Sequence, residues 1–143
     1  MLKLEELKSG RFAILKHDHP VLHFDFLLEG SEAAATWRLS VRPYPGILVP
    51  AARINDHRLM YLDYEGPVSG NRGTVLQELS GTFEMLNSGA GKFSIRMQLA
   101  VDPSETDTLH MGSCFWIATL RWNTGVMEWG FETGSTSDCA SAS

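Results

Sequence analysis

The chain has 143 residues, 43% of them hydrophobic and 20% charged, with a formal net charge of -5. That length suits one domain with a real buried core, and the acidic balance argues against a nonspecific nucleic-acid binder. No run approaches the ~18 apolar residues of a membrane helix, and two cysteines, Cys114 and Cys139, make neither a disulfide framework nor a zinc ribbon.

Cys114 sits in an apolar run and reads as a small core residue; Cys139 lies in a Ser-rich tail. The opening MLKLEELKSG lacks the apolar core of a signal peptide, which gives a cytoplasmic expectation with no membrane partner. Charge is uneven along the chain. From Arg38 to Arg72, five Arg (38, 42, 53, 58, 72) stand against Asp56, Asp63 and Glu65, a local balance of +2. Two readings remain open: a basic face on an acidic body, or solvated surface arginines.

In chain order, Leu2 to Lys8 is predicted to form one or two helical turns, with Leu4 and Leu7 on one face. Nearly everything after that reads as strand. Phe12 and Ile14 alternate with small or polar neighbours; Leu22–Leu28 starts after Pro20; Ala35–Val41 centres on Trp37; Ile47–Ile54 is edged by Pro43, Pro45 and Pro50. Thr74–Leu79 and Thr82–Leu86 flank Ser80-Gly81, a predicted hairpin. NSGAG (Asn87–Gly91) is the predicted turn before Phe93, Ile95, Met97, Leu99 and Val101, which alternate cleanly. Asp102–Asp107 is a predicted acidic loop. Ser113–Trp122 and Val126–Phe131 surround Asn123-Thr124-Gly125, another hairpin turn, and Trp116, Trp122 and Trp129 read as core. His110 carries no assignment. The expectation is a mainly β, compact, closed or nearly closed β-barrel of about eight strands with little helix, or else a sandwich; closure removes edge strands and favours the barrel. It predicts a single domain over residues 1–133 and a disordered tail over 134–143.

Chemistry concentrates between Lys16 and Glu29, KHDHPVLHFDFLLE. Three imidazoles and two carboxylates fall between His17 and Asp25. In a strand His23, Asp25 and Leu27 share one face, while Phe24, Phe26 and Leu28 share the other. His17 precedes the Pro20 turn and can fold back to the same point. Two imidazoles and a carboxylate suit a divalent transition metal, Mn, Fe or Zn, with open positions for water or substrate; the alternative is a polar strand face in water. Asp18 is expected to hold a turn or hydrogen-bond a ligand, and His19 beside Pro20 is expected at the surface. A second cluster, RINDHRLMYLDYEG (Arg53–Gly66), offers His57 as a phosphate ligand or proton donor and Tyr61 as a hydrogen-bond donor to the same group. Its alternative is a turn held by an aromatic. Gly66, Gly70 and Gly73 with Asn71-Arg72 form a loop that could approach a phosphate backbone; a plain turn is the preferred reading.

Taken together, Phe12–Glu29, Trp37, Asp56-His57 through Tyr61 to Glu65-Gly66, and Gly73-Thr74-Val75 resemble the 3'-phosphoesterase domain of bacterial DNA ligase D, an end-healing module of nonhomologous end joining that also occurs free-standing. The resemblance covers about residues 11 to 80. It implies a β-barrel with a manganese (Mn2+) site formed by His17, His23 and Asp25. His57 and Tyr61 would engage the phosphate, Asp18 and Asp56 would support these groups, and the substrates would be DNA or RNA/DNA 3' ends. Activity would remove a terminal ribonucleoside as a phosphodiesterase and then the 3'-phosphate as a monoesterase, with end-joining ligase or polymerase proteins as partners.

The chain departs from the family pattern. Leu27 stands where the family has an arginine two residues after the metal-binding aspartate, Asn55 replaces an acid, and Val41 replaces a lysine, with Arg42 adjacent. The Gly-rich loop is shortened to Gly70-Asn71-Arg72-Gly73. Arg42, Arg53 or Arg72 would then have to supply the lost phosphate contact. Three functions follow: an active phosphoesterase on nucleic-acid 3' ends, a catalytically weakened binding or scaffold module, or a hydrolase of small phosphoesters.

Overall fold

The computed structural model describes residues 1–100, 115–123 and 125–134. Nine strands follow one another: β1 (Ser9–His17), β2 (His23–Glu29), β3 (Ala34–Leu39), β4 (Leu48–His57), β5 (Gly66–Pro67), β6 (Thr74–Gly89), β7 (Lys92–Leu99), β8 (Phe115–Asn123) and β9 (Val126–Gly134). Two short 3-10 turns, Leu4–Glu6 and Leu59–Leu62, are the only helical elements among the described residues. Hydrogen-bonded neighbours run β1-β2-β3-β4-β9-β8-β7-β6, and β1 pairs back onto β6. This closes an antiparallel barrel of eight strands, with β5 added at the start of β6. Among the described residues no helix is long and apolar enough to cross a membrane.

Strand alternation explains how the barrel fills. Phe12 and Ile14 of β1, Phe24, Phe26 and Leu28 of β2, and Trp37 and Leu39 of β3 point inward. They meet Phe93, Ile95 and Met97 of β7, Ala118 and Leu120 of β8, and Trp129 and Phe131 of β9. Trp37 and Trp129 cross edge-to-face at 5.2 Å near the centre, a geometry in which ring quadrupoles attract. Leu7 is fully buried, with Leu2 and Leu4 packed beside it, so the amino-terminal turn plugs the barrel. The Arg53 guanidinium lies 4.8 Å over the Trp37 ring and donates to the Leu2 carbonyl, fastening that plug.

A second, smaller cluster lies outside the barrel. Ala13 and Leu15 of β1, Leu27 of β2 and Ala34 of β3 point outward, yet Leu62 and Val75 bury them, with Leu59, Tyr61, Tyr64 and Val68 packed around. The segment from Leu59 to Gly73 therefore lies as a cover across the outer face of β1 and β2. Polar side chains further along those strands stand at its edge.

Two predicted turns differ. Ser80-Gly81 does not turn the chain; β6 runs straight through it for 16 residues. Gly81 is required by close approach, because a Cβ there would collide with the Gln98 carbonyl and the Phe12 ring. The turn before β7 is only Ala90-Gly91, since Gly89 already pairs with Lys92 and Gly91 takes the left-handed φ of +71° that glycine tolerates. The β8–β9 hairpin closes at Asn123↔Val126, where a turn was expected. Cys114, Cys139, His110, the Asp102–Asp107 loop and residues 135–143 of the expected tail lie outside the described residues.

Candidate functional site

The β1–β2 hairpin pairs His17 directly with His23 and Leu15 with Asp25. His17, His23 and Asp25 thus share the outward face at the hairpin end, beside the covering segment. They are not in water: His23 is 3% exposed and Asp25 2%. His17 Nδ1 is 3.5 Å from Asp25 Oδ2, and His23 Nε2 is 3.3 Å from Asp25 Oδ1. The donor atoms of the three residues all lie within 4.8 Å of one another.

The remaining ring nitrogens define the tautomers. His17 Nε2 donates to the Arg72 carbonyl at 2.8 Å, and His23 Nδ1 donates to the Val21 carbonyl at 2.9 Å. A carbonyl only accepts, so both protons are committed there. In the neutral imidazoles this leaves His17 Nδ1 and His23 Nε2 as lone pairs. Both atoms, and Asp25 Oδ1, are buried without a hydrogen-bond partner. Three acceptors converging without a donor repel one another unless a cation sits between them. The donor set therefore fits a divalent transition metal. Backbone carbonyls hold each imidazole from behind, as metal-binding histidines require.

Gly73 helps to build this arrangement. At φ +79°, it brings the loop so close that a Cβ would collide with the Asp18 carboxylate. Asp18 Oδ1 accepts the Thr74 N–H at 2.8 Å, which ties the loop to the hairpin and sets the Arg72 carbonyl on His17.

His57 ends β4, with Nε2 3.8 Å from Asp25 Oδ2 and Nδ1 donating to the Asn55 carbonyl at 3.1 Å. Its ring contacts Tyr61 edge-on at 5.8 Å. Burial alone would push the Asp25 carboxyl up. The hydrogen bond with His57, together with electrostatic attraction to His23, His57 and His17, outweighs it and holds the carboxyl below the usual range.

A cleft of about 500 Å³ opens over these groups, lined by His17, Asp25, His57 and Tyr61. Exposed His19 lies on its rim, and Asp56 lines it while accepting the Leu2 N–H at 2.7 Å. Of the three arginines expected at the substrate, only Arg72 reaches the cleft, with its guanidinium donating to the Ser69 carbonyl and hydroxyl. Arg42 is bound to Glu78 at 2.6 Å, and Arg53 to Leu2 and Asp56; neither lines the cleft. Arg38 and Arg58 do; the sequence places both in the basic Arg38–Arg72 stretch but does not single them out as phosphate contacts. Arg58 directly follows His57, and Arg38 follows inward-facing Trp37 and so must face out. Only the strand register reveals that Arg38 stands opposite Asp25. Leu27 is fully buried in the outer apolar cluster.

A family model for the DNA Ligase D 3'-phosphoesterase domain matches residues 15–111. The chain is also 35% identical over 60 residues to the Multifunctional non-homologous end joining protein LigD of Pseudomonas aeruginosa. That stretch is 41% of this chain and 7% of the relative, so the chain corresponds to a small part of that protein. Because the family match extends over well more than half of its length, and takes in His17, His23, Asp25, His57 and Tyr61, the chain belongs to the DNA Ligase D 3'-phosphoesterase domain family.

Proposed function

We propose that the chain is a metal-dependent phosphoesterase that removes a phosphate or a terminal ribonucleoside from nucleic-acid 3' ends, with Mn2+ as the favoured ion. The observation that carries this reading is the convergence of three partnerless buried ligand atoms, His17 Nδ1, His23 Nε2 and Asp25 Oδ1, beside an arginine-lined cleft that His17 and Asp25 border. His17, His23 and Asp25 would hold the ion. Bound there, it would neutralise phosphate charge and lower the pKa of a bound water.

The chain's own residues supply the rest. His57 is oriented by its Nδ1–H bond to the Asn55 carbonyl, so Nε2 faces the cleft and carries a proton only when the ring is an imidazolium. Protonated, it can donate to the departing oxygen as water attacks phosphorus and the ester P–O bond breaks: the 3'-oxygen when phosphate is released, the 5'-oxygen of the ribonucleoside when the nucleoside is released. The Tyr61 side chain lines the same cleft and can orient a phosphate oxygen. Arg58 and Arg72 on the rim give it a positive mouth, although the whole chain is acidic.

A DNA primer–template bearing a 3'-phosphate, and one ending in a ribonucleotide, test the proposal. Phosphate or nucleoside release that requires Mn2+ and disappears in His23→Ala is the expected result. Absence of release at any metal concentration, or equal release by His23→Ala, would overturn it. A weakened binding module is the second reading, favoured by one observation: buried Leu27 brings no cation to the cleft from β2. Retention of 3'-phosphorylated DNA without turnover would select that reading.

A further inference from the structure

We infer that Arg38 is the residue that grips the terminal phosphate in this cleft, an inference that rests on the phosphoester reading above. Three other arginines of the chain's basic stretch are engaged: Arg42 with Glu78, Arg53 with Leu2 and Asp56, Arg72 with Ser69. Arg38 is exposed and lines the cleft. Among the described residues its guanidinium has neither an ion pair nor a hydrogen bond.

Its position makes that freedom informative. Strand register places Arg38 directly across from Asp25 on the same outward face, where opposed side chains start roughly 4.5–5.5 Å apart. Asp25 nevertheless turns its oxygens to His17, His23 and His57 and makes no ion pair with Arg38. A cation beside the proposed metal ligands, without a counterion and open to the cleft, is placed for an anion that arrives from solvent. Arg58, which lines the cleft as well, also has no partner among the described residues, but it caps the turn at Leu59–Leu62, whereas Arg38 is the arginine paired in register with Asp25. Arg38 stands between buried Trp37 and Leu39 on a strand paired on both sides, so the start of its stem is fixed before substrate binds.

A guanidinium presents two parallel N–H groups that match two oxygens of one phosphate. A terminal monoester dianion offers more charge and more non-bridging oxygens than a diester. Arg38 therefore favours the 3'-phosphate over the 3'-terminal ribonucleoside, which makes it a specificity determinant between the two reactions.

Steady-state kinetics on both primer–templates with Mn2+ test this, using the whole chain as wild type, Arg38→Ala, Arg38→Lys and Arg121→Ala. Arg121 is an exposed arginine on β8, across the barrel. Arg38→Ala should lose roughly 10–100-fold in kcat/KM on the 3'-phosphate, mainly through KM, and less on the ribonucleotide end. Arg38→Lys should recover part of the loss, and Arg121→Ala should match wild type. Fluorescence anisotropy with 3'-phosphate and 3'-hydroxyl oligonucleotides supplies a readout independent of turnover. If wild type releases nothing but Arg38→Ala alone loses the preference for the 3'-phosphate oligonucleotide, the role of Arg38 stands and the hydrolase reading falls. A wild type with neither turnover nor that preference overturns both. Folded Arg38→Ala within twofold of wild type in both assays overturns the Arg38 assignment alone.

Discussion

The inside of the barrel and the patch on its outside use the same strands for opposite purposes. On β2, Phe24, Phe26 and Leu28 fill the interior, while His23, Asp25 and Leu27 face the cover formed by residues 59–73. The interior is redundant: large rings contact several others, and Phe26 alone meets Phe12, Trp37, Trp129 and Phe131. The outer patch is divided. Its apolar half, Leu15, Leu27, Leu62 and Val75, is packed as a small core. Its polar half leaves buried atoms without partners. Burying acceptors without donors opposes folding, so the interior and the apolar half of the patch offset what the polar half costs. Stability and function are thus separated by a single alternation of side chains.

That separation can be broken most forcefully from inside. Trp37→Ala removes the ring that packs on Phe26, Trp129 and Arg53, and urea denaturation should show a loss of about 3–5 kcal/mol. A loss under about 1 kcal/mol would mean that the barrel interior is not the source of stability.

Leu27→Arg comes next. The family pattern suggests arginine at this position, but here the side chain is fully buried among Ala13, Leu15, Ala34, Leu62 and Val75. An unpaired guanidinium in that cluster should cost about 3 kcal/mol or more, and the variant should not gain phosphoesterase activity. A stable variant with higher activity would show that the cover opens readily.

Asp18→Ala tests the link between patch and loop. Losing the bond to the Thr74 N–H should lower stability by about 1 kcal/mol. The Arg72 carbonyl would then orient His17 less firmly, and Mn2+ affinity should fall by about tenfold. Calorimetry reads both effects; an unchanged affinity would remove the loop from the account.

Much of this was legible in the sequence because alternation in β2 is simple. His23 and Asp25 had to face away from Phe24 and Phe26, and the short hairpin had to return His17 to them. The resemblance to the family then joined His57 and Tyr61 to the same site. What stayed hidden depends on long-range placement. Cross-strand partners such as Asp25↔Arg38 are set by the β2–β3 register, which no local pattern encodes. That is why Arg42 and Arg53 were expected at the substrate instead. Gly81 reads as a turn residue because flexibility and close approach both select glycine. Leu27 reads as a missing charge until a cover from some thirty residues further along the chain buries it.

The central claim is that His17, His23 and Asp25 form a metal site rather than a polar strand face. Calorimetric titration of the metal-free protein with Mn2+ tests it most directly, run beside Asp25→Asn in the same buffer. The account predicts one ion per wild-type chain and none in Asp25→Asn. That variant should stay folded, within about 1 kcal/mol of wild type, because its amide can donate into an imidazole lone pair. No ion bound by wild type, or an equal isotherm from folded Asp25→Asn, would contradict it.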